Sequence, residues 1–157
     1  MEIAHFKEAV KELNRAGVKT HIHTNGDRAS ELAIEAYQEA LLECANPDLR
    51  HTLEHVQLAD KSQFLRMRTL GLTVNVFANH LYYFGDIHWS RSIGPDRAKR
   101  MDACKDACAV FDGNFAIHSD APVTPMAPLF TAWCAVNRQT QNGRILGNTQ
   151  QISLKEA

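Results

Sequence analysis

Three short segments of this chain end in side chains that bind divalent metals: His21-Ile22-His23, Leu53-Glu54-His55 and His118-Ser119-Asp120. Imidazole and carboxylate suit Zn²⁺ and similar ions, a neutral histidine nitrogen coordinating at about 2.0–2.1 Å. His23, His55 and Asp120 as a ligand set would leave positions open for water. A bound metal lowers the pKa of such a water to about 7. Asp120 would then take a proton as base and return it to a leaving amine as acid. The chemistry is metal-assisted hydrolysis. Each residue alone has a plainer reading, because strand histidines are commonly hydrogen-bonded core residues and Asp before Ala-Pro is commonly a turn or cap. Their coincidence at equivalent places is what favours a site.

Those places are the ends of strand-like runs, each followed by a loop and a helical pattern. Residues 2–15 carry Ile3, Phe6, Val10 and Leu13 at helical spacing, closed by Gly17. A strand over 18–23 puts Lys19, His21 and His23 on one face, and a helix over about 28–44 follows. The next strand, 50–55, places His51, Leu53 and His55 together and Glu54 opposite, toward the flanking helices, with Arg28 a candidate ion-pair partner. Asp60 is the expected cap of a helix over 61–70, and 72–76 is a third strand. A long aromatic loop is expected at about 77–95, then a helix near 96–110, a strand at 115–119, a turn at 121–125 and a helix over 128–138. Residues 152–157 read as the first turn of another helix. Alternating strands and helices imply right-handed βαβ units and a parallel sheet, whose functional groups gather at the strands' C-terminal ends. Asp27 is expected to cap a helix and orient its loop, whereas His21, His51 and His118 either orient a ligand or fill the interior.

The remaining features bound the possibilities. The 157 residues suffice for one domain with a single core, and 45% hydrophobic with 22% charged residues is an ordinary globular composition. A formal charge of -1 gives no electrostatic case for nucleic acid or a membrane surface. No apolar run approaches the roughly 18 residues of a membrane helix, and no secretory leader is expected. Cys44, Cys104, Cys108 and Cys134 form no CxxC pair and are expected to be buried thiols, which favours a cytoplasmic location.

At these residues the sequence resembles the amidohydrolase superfamily, specifically amidohydrolase family 3, the YtcJ-like metal-dependent hydrolases. The resemblance rests on His23-Thr24-Asn25-Gly26-Asp27-Arg28-Ala29, Arg50-His51-Thr52-Leu53-Glu54-His55-Val56-Gln57, Asn79-His80-Leu81-Tyr82-Tyr83-Phe84-Gly85-Asp86 and His118-Ser119-Asp120-Ala121-Pro122-Val123, with a further match from Ala127 to Gly147. It implies an α/β fold, a (β/α)8 barrel, and hydrolysis of carbon–nitrogen bonds other than peptide bonds, typically in amides or N-acyl compounds. It makes His23 the metal ligand of the fifth strand, His55 that of the sixth and Asp120 the acid/base of the eighth, with zinc the expected ion. In mononuclear relatives the sixth-strand histidine contacts the attacking water instead. Asn79, His80, Tyr82 and Tyr83 would bind substrate.

The family pattern also calls for a His-x-His pair on the first strand and an acidic or carbamylated residue on the fourth. Neither has a place here. A whole barrel takes about 250 residues, so residues 1–157 are expected to be its C-terminal half, about four β/α units corresponding to strands 5–8. Such a fragment would have open sheet edges, little or no activity alone, and a use for either the missing N-terminal half or self-association. The alternative is a non-catalytic half-barrel remnant binding a metal or a partner chain.

Overall fold

The computed structural model describes residues 2–157. Four short strands, β1 (His21–Thr24), β2 (Thr52–His55), β3 (Thr73–Val76) and β4 (Ala116–Ile117), form a parallel sheet in the order β1-β2-β3-β4. The register sets His21 beside Thr52, Thr52 beside Thr73 and Asn75 beside Ala116. Around the sheet lie helices α1 (Ile3–Arg15), α2 (Asp27–Glu43), α3 (Lys61–Thr69), α4 (His80–Ile87), α5 (Gly94–Ala98), α6 (Cys104–Val110) and α7 (Pro128–Asn137), with short helical turns between some of them. The architecture is a partial (β/α)8 barrel, with all four strand C-termini opening on one side.

The core lies between the sheet and its helices. Leu53, Val74 and Val76 meet Ile34 and Tyr37 of α2, Phe64 and Met67 of α3, and Cys104 and Ala107 of α6. Fully burying each large apolar side chain contributes about 1.5–3 kcal/mol. All four cysteines are free, and Cys104, Cys108 and Cys134 are buried as expected, whereas Cys44, following the last turn of α2, is only half-buried. Asp60 caps α3 through a reciprocal box: its carboxylate accepts from the Gln63 N–H at 2.9 Å, while the Gln63 side chain accepts from the Asp60 N–H at 3.3 Å. Among the described residues no helix is long and apolar enough to cross a membrane.

The structure corrects three expectations. The segment expected as a loop over 77–95 is helical, α4 running on through a π-helical turn at His88–Ser92. Gly85 does not break the helix. A Cβ there would lie 2.7 Å from both Leu146 Cδ1 and Thr140 Cγ2, so glycine permits close approach of the following segment. The helix expected near 96–110 is two helices, because the carbonyls of Met101 and Asp102 turn away to accept from Arg138 at 2.7 and 2.8 Å. Arg138 is fully buried, its Nε donating to the Leu146 carbonyl at 2.5 Å. Residues 152–157 form a turn rather than the start of a helix.

His51 resolves as an interior residue on the helix side of the sheet. Its Nδ1 accepts from the Thr20 N–H at 3.1 Å, which leaves the proton on Nε2 to be donated to Asn14 Oδ1 at 3.1 Å. The ring stacks on Tyr37 at 4.7 Å, and Asn14 Nδ2 donates to the Cys44 carbonyl at 2.8 Å. One imidazole thus ties α1, β2 and α2 together. Burial pulls its pKa below the usual histidine value.

Replacing His51 with alanine should cost about 2–3 kcal/mol in urea denaturation at pH 7, since it leaves the Thr20 N–H and Asn14 Oδ1 without partners. Because the folded pKa is depressed, the His51 contribution is complete above the unfolded value of about 6.5 and is lost as pH falls below it. Wild type should therefore lose stability from pH 7 to 5 more steeply than H51A, and equal slopes would contradict this. Separately, Gly147 has φ +60° and a Cβ there would lie 1.9 Å from the Lys99 carbonyl oxygen. G147A should cost about 2–4 kcal/mol by the same assay, and a neutral result would mean that this backbone approach is wrong.

Candidate metal centre

The site is built by a reversal at the end of β2. Leu53 faces the helices and is fully buried, and strand alternation would send His55 the same way. Instead His55 has φ +67° and Val56 φ +45°, and the Val56 N–H donates to the Glu54 carbonyl at 2.9 Å, closing a three-residue turn. Relative to an extended residue, this φ swings the imidazole by about half a turn, to the mouth of the sheet. There its ring meets those of His23 at 4.5 Å, His118 at 5.0 Å, Phe77 at 5.5 Å and His80 at 5.9 Å. Positive φ at such residues costs about 1–3 kcal/mol each and persists where packing enforces it. Val56, fully buried, supplies that packing.

The same turn corrects the expectation for Glu54. Its side chain does not reach toward the helices, and Arg28 pairs with Glu35 instead at 3.2 Å. Glu54 faces the open interior of the sheet, with His21 Nδ1 2.6 Å from Oε1 and Asn75 Nδ2 donating to Oε2 at 2.7 Å. Alternation counted back from His55 passed through a residue that does not alternate. Asp27 is the first residue of α2 rather than its cap. Its carboxylate accepts from the Arg28 N–H at 2.8 Å and pairs with Arg97 at 2.6 Å, tethering α2 to α5.

His23, His55 and Asp120 line one cavity of about 240 Å³, with Gln57, His80 and His88 also in its wall. Asp120 follows β4, at φ +53°. Its N–H donates to His118 Nδ1 at 3.1 Å. Donor atoms of His55, His118 and Asp120 lie within 4.8 Å of one another; His23, expected as a ligand, lines the same cavity but is outside this compact group. The chemistry separates these three. His118 accepts the Asp120 N–H on Nδ1, so its neutral ring carries the proton on Nε2, which is buried without an acceptor among the described residues and, while protonated, is no ligand. Burial holds the His118 pKa below the usual value, consistent with that neutral ring. For His55, burial first, then nearby His118 and His23, push the pKa down to about 4. Its Nδ1 is buried without a hydrogen-bond partner. A neutral imidazole with no competing partner, beside a carboxylate and a second imidazole, fits a divalent metal ion.

Of the four residues expected to bind substrate, His80 lines this cavity and the other three do not. The reason is helical periodicity. His80, Phe84 and His88, spaced by four, share the cavity side, whereas Tyr82 turns toward α7, edge-on to Phe130 at 5.0 Å and Trp133 at 6.0 Å. Tyr83 packs edge-on to Tyr82 at 5.1 Å on that side. Asn79 is buried and donates to Thr124 Oγ1 at 2.8 Å. Thr124 in turn bonds the Ser119 carbonyl, so Asn79 braces the turn that carries Asp120. Gln57 and His88 were not foreseen. The four-residue spacing of His80, Phe84 and His88 is the signal that a helical reading would have used.

A sequence model described as the amidohydrolase family matches residues 1–157. The chain belongs to the amidohydrolase family. Among curated relatives, this amidohydrolase chain is 28% identical over 148 residues to an N-substituted formamide deformylase of Arthrobacter pascens, covering 92% of the chain and 26% of the relative. It is 25% identical over 125 residues to the protein LONG AFTER FAR-RED 3 of Arabidopsis thaliana, covering 80% of the chain and 21% of that protein. Two solved structures of uncharacterized metal-dependent hydrolases share the fold. The one from Pyrococcus furiosus superposes with a TM-score of 0.75 at 20% identity, and the one from Pyrococcus horikoshii with 0.77 at 22%. Each superposition covers 99% of the chain and 30% of the solved one. The chain therefore spans about a fifth to a third of the length of these relatives.

The depressed His55 pKa gives a direct test. In chelator-treated protein, the His55 ring proton resonance should stay flat from pH 8 to about 5 and move only near pH 4. A midpoint near 6.5 would contradict the burial described here.

Proposed function

We propose that this chain supplies the metal-binding and proton-transfer side of a hydrolase that cleaves carbon–nitrogen bonds other than peptide bonds, in small amides or N-acyl compounds. The observation that carries this is the meeting of His23, His55 and Asp120 at one cavity beyond the strand ends, with His55 Nδ1 buried and unpartnered. These three residues would hold a divalent ion, with zinc preferred by imidazole and carboxylate donors. When bound, such an ion supplies a Lewis acid and lowers the pKa of a water to about 7.

The protein's own residues handle the proton and the substrate. Asp120 takes the proton of the attacking water and returns it to the departing nitrogen. His118, bonded to the Asp120 N–H, holds that aspartate in its left-handed turn. Neutral His55 would orient the water where it does not ligate. His80, on the cavity wall, contacts the substrate. The Arthrobacter relative, an N-substituted formamide deformylase, supports an N-acyl substrate class. The free thiols suit a reducing compartment such as the cytoplasm.

Residues 1–157 correspond to the C-terminal half of the barrel in this proposal, and the isolated chain would turn over slowly. The outer sides of β1 and β4 have no neighbouring strand among the described residues, and Met126, Leu129 and Leu154 are about four-fifths exposed. An N-terminal half-barrel or a second copy would cover them. Those exposed residues also favour the second reading, a remnant that binds metal or a partner chain without catalysis.

Zinc added to the chelated chain should raise its melting temperature, and H23A with H55A should remove that rise. In a screen of small amides, alone and with a complementing half-barrel, D120N should lower hydrolysis about 10²- to 10⁴-fold. Zinc stabilisation without hydrolysis in either form would favour the remnant; absence of zinc stabilisation would exclude the metal site.

A further inference from the structure

We propose that Asp102, which lies outside the metal-binding set, is a positioning residue: it fixes the tautomer of His80 so that Nε2 offers an acceptor to the N–H of a secondary amide. The role toward substrate rests on the hydrolase reading above; the tautomer does not.

Asp102 is fully buried between α5 and α6, at φ +49°. Its main chain is held on both sides, the N–H donating to the Gln57 carbonyl at 2.8 Å and the carbonyl accepting from Arg138 Nη1 at 2.8 Å. Its carboxylate has one hydrogen-bonding side-chain partner among the described residues, His80 Nδ1, at 3.4 Å from Oδ1, and Oδ2 has none. A buried carboxylate with so little company is costly unless a nearby charge offsets it. The buried Arg138 guanidinium supplies that charge, while its donors are occupied by carbonyls.

The arrangement dictates what His80 presents. A carboxylate only accepts, so the proton of a neutral His80 ring sits on Nδ1 and the lone pair on Nε2. The ring plane is set by Phe77 at 4.0 Å and Phe84 at 5.7 Å between centroids. Nε2 has no hydrogen-bond partner among the described residues, and His80 lines the cavity. Gln57 is fastened to the same anchor, its carbonyl bonded to Asp102 while its Nε2 donates to His88 Nε2 at 3.1 Å. One buried residue therefore sets two parts of the cavity wall. An acceptor there selects N-monosubstituted amides, which carry an N–H, over N,N-disubstituted amides, which would leave it unpaired.

The test is ¹⁵N NMR of the histidine-labelled full chain, where two-bond couplings report each ring's tautomer. His80 should favour Nδ1–H by more than about tenfold, as a hydrogen bond to a charged group requires. In D102N, of nearly equal volume, that ratio should fall by about tenfold or reverse. N-methylacetamide should shift His80 Nε2, and N,N-dimethylacetamide should not. An Nε2–H tautomer in wild type, or equal shifts with both amides, would overturn the proposal. If D102N fails to fold, the wild-type tautomer and the paired amide titrations decide it. These readouts do not require turnover, so a chain that hydrolyses nothing can still sustain the inference, and an active chain can still refute it.

Discussion

The candidate centre depends on one backbone event, the positive φ at His55 and Val56 that ends β2. Parallel strands bring their C-terminal ends together, but alternation alone would bury the His55 ring among the helices beside Leu53. The reversal brings it out to the mouth, 4.5 Å from the ring of His23. Strain of this kind persists only where surroundings over-determine it. Here a fully buried Val56 and the Asp102–Gln57 bond anchor the turn on its far side.

Around that turn, polar residues act mainly through one another. Asn79 holds Thr124, Thr124 holds the Ser119 carbonyl, and the next residue is Asp120. His118 receives the Asp120 N–H. Arg138 gathers the carbonyls of Met101 and Asp102, which frees the Asp102 side chain to meet His80. Buried polar groups of this kind are costly when unpaired, so the network resists rearrangement as well as shaping the cavity.

Much of this was legible in the residue pattern. His23, His55 and Asp120 stood out because each follows an apolar, branched run and precedes a helical one. Asp60 as a cap marked the start of α3, and the structure adds Gln63 as its reciprocal partner. What escaped did so for physical reasons. Gly85 and the aromatic run around it suggested a loop, whereas the glycine answers to the close approach of Thr140 and Leu146, distant in sequence. The split of α5 from α6 depends on a buried Arg138 about forty residues on. Glu54 was sent to the wrong face because alternation fails at His55, and the modest enrichment of histidine at positive φ is too weak to mark one such residue in a sequence.

The most direct measurement is anomalous diffraction at the zinc edge from crystals of the chain equilibrated with Zn²⁺. A peak in contact with His55 and Asp120, on the side facing His23, is the expected result. A peak coordinated elsewhere, or full zinc exclusion while the His55 turn is intact, would contradict the assignment of a metal centre to the mouth of this sheet.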